Sequence, residues 1–149
     1  MSKYDEVVIL VAEDDDGHAE LIKEYLEDAG VNNDILRFCD GQEVWDFLSG
    51  NGKGAVRDEK QAYLLLLDIN MPKMDGVEVL RKIKEDEVLK TMPVIMLTTT
   101  DDPREVEQCY KIGCNIYVTK PVDFTKFTET LKNLGLFIKV VKIGSTRRK

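Results

Sequence analysis

Five short runs rich in Val, Ile and Leu recur along the chain, separated by longer segments whose apolar residues fall at helical spacing. That alternation is the pattern of a parallel sheet with helices packed on its faces. The strand candidates are Val7–Ala12, Asp34–Phe38, Tyr63–Leu67, Pro93–Thr98 and Asn115–Thr119. The first, third and fourth are nearly continuous apolar runs, as strands covered on both faces require, and they are expected at the sheet's centre. Between the first two, Ala19, Ile22, Leu26 and Ala29 repeat at three and four before Gly30, which predicts an amphipathic helix with a glycine stop. Asp40 is placed to cap a helix burying Val44, Trp45 and Leu48, and Asp75 one burying Val79, Leu80 and Ile83. Pro103 suits the first turn of a fourth helix and Gly113 its end. A fifth begins near Asp123 and carries Phe127, Leu131 and Leu134 on one side before Gly135.

Right-handed crossovers leave few ways to assemble such units. They favour a flavodoxin-like (βα)5 fold, a doubly wound α/β parallel sheet of strand order 2-1-3-4-5. The chain's 149 residues suit one domain, and 43% hydrophobic residues suffice for a core without metal or disulfide staples. Its longest apolar runs, Val7–Ala12 and Leu64–Leu67, fall far short of the roughly 18 residues of a membrane span. The first residues, Met1 to Glu6, lack a secretory signal pattern, so a cytoplasmic location is expected. Cys39, Cys109 and Cys114 are odd in number and lack the spacing of a zinc or redox hairpin, and they are expected as reduced thiols in the core. A single histidine, His18, excludes a His-rich metal cage and a Ser-His-Asp triad, and is expected on a helix surface. With 21 basic against 28 acidic residues the net charge is -7, which disfavours direct DNA binding despite the short basic tail Arg147-Arg148-Lys149. The Ser49 to Ala62 connection is long for a compact domain and is expected to be mobile.

In open parallel sheets ligands bind outside the carboxyl ends of the strands. The residues there are Glu13 and Asp14, then Asp68, Thr98 and Lys120. Glu13, Asp14 and Asp68 leave the two strands beside the switch point, so their carboxylates should converge. Two unit charges about 4 Å apart repel by about 4 kcal/mol at an effective dielectric of 20, and a cation must offset this. Oxygen ligands without His or Cys select a hard ion, with Mg2+ the first choice, and Lys120 can add charge from the far side. A metal, a lysine, a hydroxyl and a carboxylate at one edge suit phosphoryl transfer through an acyl phosphate. Asp68, alone after a buried strand, is the best nucleophile; Glu13 and Asp14 look like a metal-holding pair. Taken alone, Glu13 and Asp14 would serve equally well as caps of the first helix.

These residues resemble the receiver domains of two-component response regulators. The matching segments are Val8-Ile9-Leu10-Val11-Ala12-Glu13-Asp14-Asp15, the stretch from Leu66 through Asp68 to Gly76, Pro93 to Thr98, and Tyr117-Val118-Thr119-Lys120-Pro121. The resemblance spans residues 5–135, leaving 136–149 as a C-terminal extension. It implies that Asp68 accepts a phosphoryl group from the phosphohistidine of a histidine kinase. It also implies that Asp14, Asp68 and the Asn70 carbonyl bind Mg2+, with Glu13 acting mainly through a water. Lys120 would pair with Asp68 and then with the phosphoryl group. Thr98 would move to bond the phosphoryl oxygen and Tyr117 would follow it inward, changing partner binding at the face of the fourth helix, fifth strand and fifth helix. Val122 departs from the aromatic residue often found after the Lys-Pro pair, and Asn70 and Thr100 are the side chains that would tune phosphoryl lifetime.

The reading is thus a switch module without an output domain, relaying to a downstream protein or phosphotransfer protein. Its long loop and extension look like those of single-domain receivers paired with phytochrome-type kinases. The extension Leu136 to Ile143 either packs on its own domain or joins a homodimer surface. Two other classes compete. A Mg2+-dependent phosphatase with an aspartyl nucleophile usually has an acid two positions on, where this chain has Asn70. A phosphorylation-independent scaffold would not need the intact site.

Overall fold

A computed structural model describes residues 6–28, 30–52, 54–99, 102–120, 129 and 133. The expected fifth helix, Thr100 and the 136–149 extension with its basic tail thus lie largely or wholly outside the described residues. The element order is β1 (Val8–Ala12), α1 (Asp16–Asp28), β2 (Ile35–Phe38), α2 (Gly41–Ser49), β3 (Tyr63–Leu67), α3 (Gly76–Glu85), a 3-10 turn at Leu89–Thr91, β4 (Val94–Thr98), α4 (Pro103–Ile112) and β5 (Ile116–Thr119). All strand pairs are parallel and the order is β2-β1-β3-β4-β5, the flavodoxin-like arrangement. β1, β3 and β4 are central and almost wholly buried, while β2 and β5 form the edges.

Strand alternation divides the core between the two faces. Leu10, Leu65, Leu67, Val94 and Met96 pack with Val44, Leu48, Val79, Leu80 and Ile83 of α2 and α3. Ile9, Val11, Leu64, Leu66, Ile95 and Leu97 pack with Ile22 and Leu26 of α1. Each helix begins where a short polar side chain satisfies an orphan backbone N–H. Asp40 accepts from the Glu43 N–H at 2.8 Å, Asp75 from that of Glu78 at 2.9 Å, and Asp102, just before Pro103, from that of Arg104 at 2.9 Å. The cap of α1 is Asp15, which accepts from the His18 N–H at 2.9 Å. Glu13 and Asp14 therefore do not serve as that cap.

One expectation is corrected. Cys109 and Cys114 are buried unpaired thiols, but Cys39 is exposed. It sits in the turn after edge strand β2, where Asp40 turns inward to cap α2 and its neighbour faces outward. The described residues of the 49–62 connection make several hydrogen bonds. Arg57 Nε donates to the Leu48 carbonyl at 3.0 Å, the Asp58 N–H to the Tyr63 hydroxyl at 2.8 Å, and the buried Gln61 amide to the Glu6 carbonyl at 2.7 Å.

The loop joining β3 to α3 is held by close backbone approach. A Cβ on Gly76 would fall 2.1 Å from the Asp68 carbonyl oxygen, and the Gly76 N–H donates to the Ile69 carbonyl at 2.8 Å. Gly76→Ala must therefore displace backbone beside Asp68, costing about 1–3 kcal/mol or more. Gly54, which has nothing within 4 Å of its would-be Cβ, supplies the control. Urea denaturation should show Gly76→Ala well below wild type and Gly54→Ala near it; equal midpoints would remove the argument for this contact.

Candidate functional site: an acidic corner with one buried lysine

Strand register brings the candidate residues together. Ala12 is opposite Leu67, and the Asp68 N–H donates to the Ala12 carbonyl at 3.0 Å, so Glu13 and Asp68 leave adjacent strands side by side. Thr98 is opposite Thr119, and the Lys120 N–H donates to the Thr98 carbonyl. Val11, Leu66 and Val118 pack on the α1 face. Glu13, Asp68 and Lys120 stand two residues further along the same strands, so strand alternation sends their side chains the same way.

Glu13, Asp14 and Asp68 each offer a carboxylate oxygen within 4.8 Å of the others. Glu13 and Lys120 are buried at 1% and 5% exposure, Asp68 retains 8%, and Asp14 is exposed. Lys120 Nζ lies 3.4 Å from Asp68 Oδ2, but its tightest contact is Glu13 Oε1. The pairing implied by the resemblance is thus shared between two acids, with Glu13 the closer. His18 stands on the half-exposed side of α1 as expected, yet its Nδ1 lies 3.4 Å from Lys120 Nζ and 3.7 Å from Glu13 Oε1. The sequence puts His18 beside the acidic pair at the start of α1 but reads it as a surface residue rather than a member of the site. Its position three residues after the α1 cap, facing back over the strand ends, is the only local signal.

Thr98 is fully buried at the end of β4. Tyr117 is half-buried on β5; its hydroxyl lies 3.3 Å from Glu105 Oε1, and its backbone N–H donates to the Tyr110 hydroxyl at 3.0 Å. Burial, with the Glu105 charge adding, pushes the Tyr117 phenol well above its usual range. Asn70 is exposed in the loop after Asp68. Arg37, a charged residue inside the short apolar strand β2, was also passed over in the sequence. It donates to the Glu13 carbonyl at 3.1 Å from Nε and 2.8 Å from a terminal nitrogen, and its other terminal nitrogen reaches Asp16 at 2.6 Å.

The donor set is all oxygen, three acids strong and only partly compensated by one ammonium. That is the chemistry of a site for a hard divalent ion. Among the described residues it is the one group of three or more such side chains close enough to hold a metal, and no described helix is long and apolar enough to cross a membrane.

Comparison with known proteins gives the class. The response regulator receiver domain model matches residues 9–132, and the chain belongs to that family, the receivers of two-component signalling. The response regulator Rcp1 of Synechocystis sp. is 35% identical over 113 residues, covering 76% of this chain and 76% of Rcp1. The crystal structure of the Mn2+-bound form of Rcp1 aligns with a TM-score of 0.84 at 30% identity, covering 93% of this chain and 99% of Rcp1. A receiver domain from Rhodospirillum rubrum aligns with a TM-score of 0.86 at 41% identity, covering 95% of this chain and all of that one, 100%. The phosphorylated cyanobacterial phytochrome response regulator RcpA aligns with a TM-score of 0.83 at 31% identity, covering 94% and 99%. These relatives are signalling proteins, and the neighbouring structures include phytochrome response regulators.

Burial raises the Glu13 carboxyl from 4.5 to about 7, with Lys120 opposing the rise and Asp68 adding to it. Between those values the folded chain holds a proton that the unfolded chain has released. The resulting stability is fully present below about 4.5 and is lost as pH rises through about 7. In metal-free buffer the urea midpoint should fall between about pH 5 and about pH 8, and Glu13→Gln should flatten that fall. Identical slopes in the two proteins would show that Glu13 is not the titrating group.

Proposed function

We propose that this chain is a stand-alone response regulator in which Asp68 accepts a phosphoryl group from the phosphohistidine of a sensor histidine kinase. The observation carrying the reading is the convergence of Glu13, Asp14 and Asp68 within 4.8 Å, with Lys120 Nζ at 3.4 Å from Asp68. The covalent step is a displacement. An Asp68 carboxylate oxygen forms a bond to phosphorus, the phosphorus–nitrogen bond to the donor imidazole breaks, and the leaving imidazole takes a proton from solvent.

The all-oxygen donor set fits Mg2+; Asp14, Asp68 and the Asn70 carbonyl would hold it, with Glu13 acting mainly through a water. Bound there, Mg2+ supplies divalent charge that offsets the phosphoryl oxygens. Asp68 keeps a small opening to solvent while the strand ends hold its carboxylate fixed. Lys120 places an ammonium at the opposite side, and in the phosphorylated state it shifts from the carboxylates toward the phosphoryl oxygens. The Thr98 hydroxyl moves to bond one of those oxygens, and Tyr117 leaves Glu105 to follow it inward. Partner binding then changes at the surface shared by α4, β5 and the helix expected after Asp123. Asn70, where aspartyl phosphatases carry a general acid, favours a switch over a turnover enzyme.

Residues 5–135 constitute the receiver and 136–149 an extension whose apolar part either packs on its own domain or joins a self-association surface. The likeness to Rcp1 and RcpA supports a phytochrome-type kinase as phosphoryl donor. Incubation with Mg2+ and a small acyl phosphate should give a single phosphoryl adduct that peptide mapping places on Asp68. EDTA and Asp68→Asn should each abolish it. An adduct on Ser or Thr, or one surviving Asp68→Asn, would end this reading.

A further inference from the structure

We propose that Arg37 is a positioning residue of the acidic corner, fixing the Glu13 to Asp16 turn so that Asp14 faces Asp68 across the metal position. The inference rests on the reading of the corner as a Mg2+-dependent phosphoacceptor site and adds a residue from the edge strand to it.

The parallel ladder ends just where the site begins. Ala12 is the last β1 residue in register with β2, opposite Phe38, and the Glu13 N–H makes the final rung by donating to the Phe38 carbonyl at 3.0 Å. The Glu13 carbonyl lies past that rung. Two guanidinium N–H groups of Arg37 take it, at 3.1 Å and 2.8 Å, and a third reaches the first residue of α1, Asp16, at 2.6 Å. One planar side chain thus grips the residues on both sides of the Asp14–Asp15 pair. Asp14 itself is exposed, and nothing in its own burial holds its carboxylate toward Asp68.

Mutual repulsion among the three acids pushes this turn outward, and Arg37 opposes that push through fixed geometry. The Asp16 end of the clamp is open to water, its side chain 92% exposed against 29% for Arg37. An ion pair so placed adds little to stability. Its consequence is where the turn sits. Residues that orient metal ligands from outside the ligand set characteristically change affinity by about tenfold to a hundredfold when removed.

The test is calorimetric titration with Mg2+ of wild type, Arg37→Ala, Arg37→Lys and Asp16→Ala, with thermal melts and acyl phosphate phosphorylation rates at saturating Mg2+. Arg37→Ala should bind Mg2+ about tenfold more weakly or worse. Arg37→Lys should not recover the affinity, because an ammonium keeps the charge but lacks the fork that spans two acceptors. Asp16→Ala should weaken binding in the same direction by less, and the maximal phosphorylation rate at saturating Mg2+ should stay unchanged. Should Arg37→Ala fail to fold, Arg37→Lys and Asp16→Ala carry the comparison. Wild-type affinity in folded Arg37→Ala or in Arg37→Lys overturns the clamp, as does a lowered maximal rate at unchanged affinity. If wild type itself neither binds Mg2+ nor takes up phosphate, the acid-site reading falls first, and the clamp falls with it.

Discussion

Glu13, Asp68 and Lys120 share a nearly dry corner at the carboxyl ends of β1, β3 and β5, and the surrounding architecture is arranged around that burial. A carboxylate with almost no access to water is costly unless a cation or hydrogen bonds replace its hydration. Here one ammonium serves two acids, and the shortfall shows as a Glu13 carboxyl pushed up to about 7. The corner is therefore poised to gain from added positive charge. That is the physical sense in which three acids here are a site rather than a solvated patch.

Keeping such a corner in shape requires support that has no chemistry of its own. Gly76 lets the start of α3 press against the backbone of Asp68. Gly41 does the same for α2, since a Cβ there would fall 1.8 Å from the Met74 carbonyl oxygen. Asp40, which caps α2, also lies 3.6 Å from the Lys73 ammonium, and Lys73 adopts a left-handed backbone at φ 69° that side chains rarely favour. The loop carrying Asp68 is thus fastened to two helices through close backbone contacts and one cap. A loop so constrained can hold the Asp68 carboxylate in place without a bound partner to order it.

Much of this was legible before any coordinates. The apolar runs of β1, β3 and β4 announce central strands, Asp40 and Asp75 announce helix starts, and the rule that ligands gather at strand carboxyl ends selects Glu13, Asp14, Asp68, Thr98 and Lys120. What escaped the sequence is the reach of long side chains. Periodicity records which way a residue leaves the backbone; it does not record where a guanidinium or an imidazole several bonds away comes to rest. Arg37 drew no reading, and His18 read as a surface residue beside the acidic pair, yet both side chains reach the acidic corner. The division of Lys120 between two acids escaped for the same reason, and Cys39 was misplaced because a cysteine's usual burial was overridden by a turn.

The contacts of β4 and β5 bear on the proposed switch, because they fasten Tyr117 in its present position. Lys120 and Thr98 are joined through the backbone, and Tyr117 lies on the same strand as Lys120, three residues earlier. Tyr117 is fastened to α4 at two points, its hydroxyl to the Glu105 carboxylate and its N–H to the Tyr110 hydroxyl. Its phenol, held protonated by burial and the Glu105 charge, can only donate to that carboxylate. A hydrogen bond to a charged group contributes about 1.5–3 kcal/mol. Breaking it without replacement would disfavour the rearranged state by roughly 10- to 150-fold. In the proposed switch an inward Tyr117 would therefore need differential stabilisation of at least that size from phosphorylation at Asp68. Under that proposal Glu105 and Tyr110, both on α4, would set the threshold that phosphorylation must exceed.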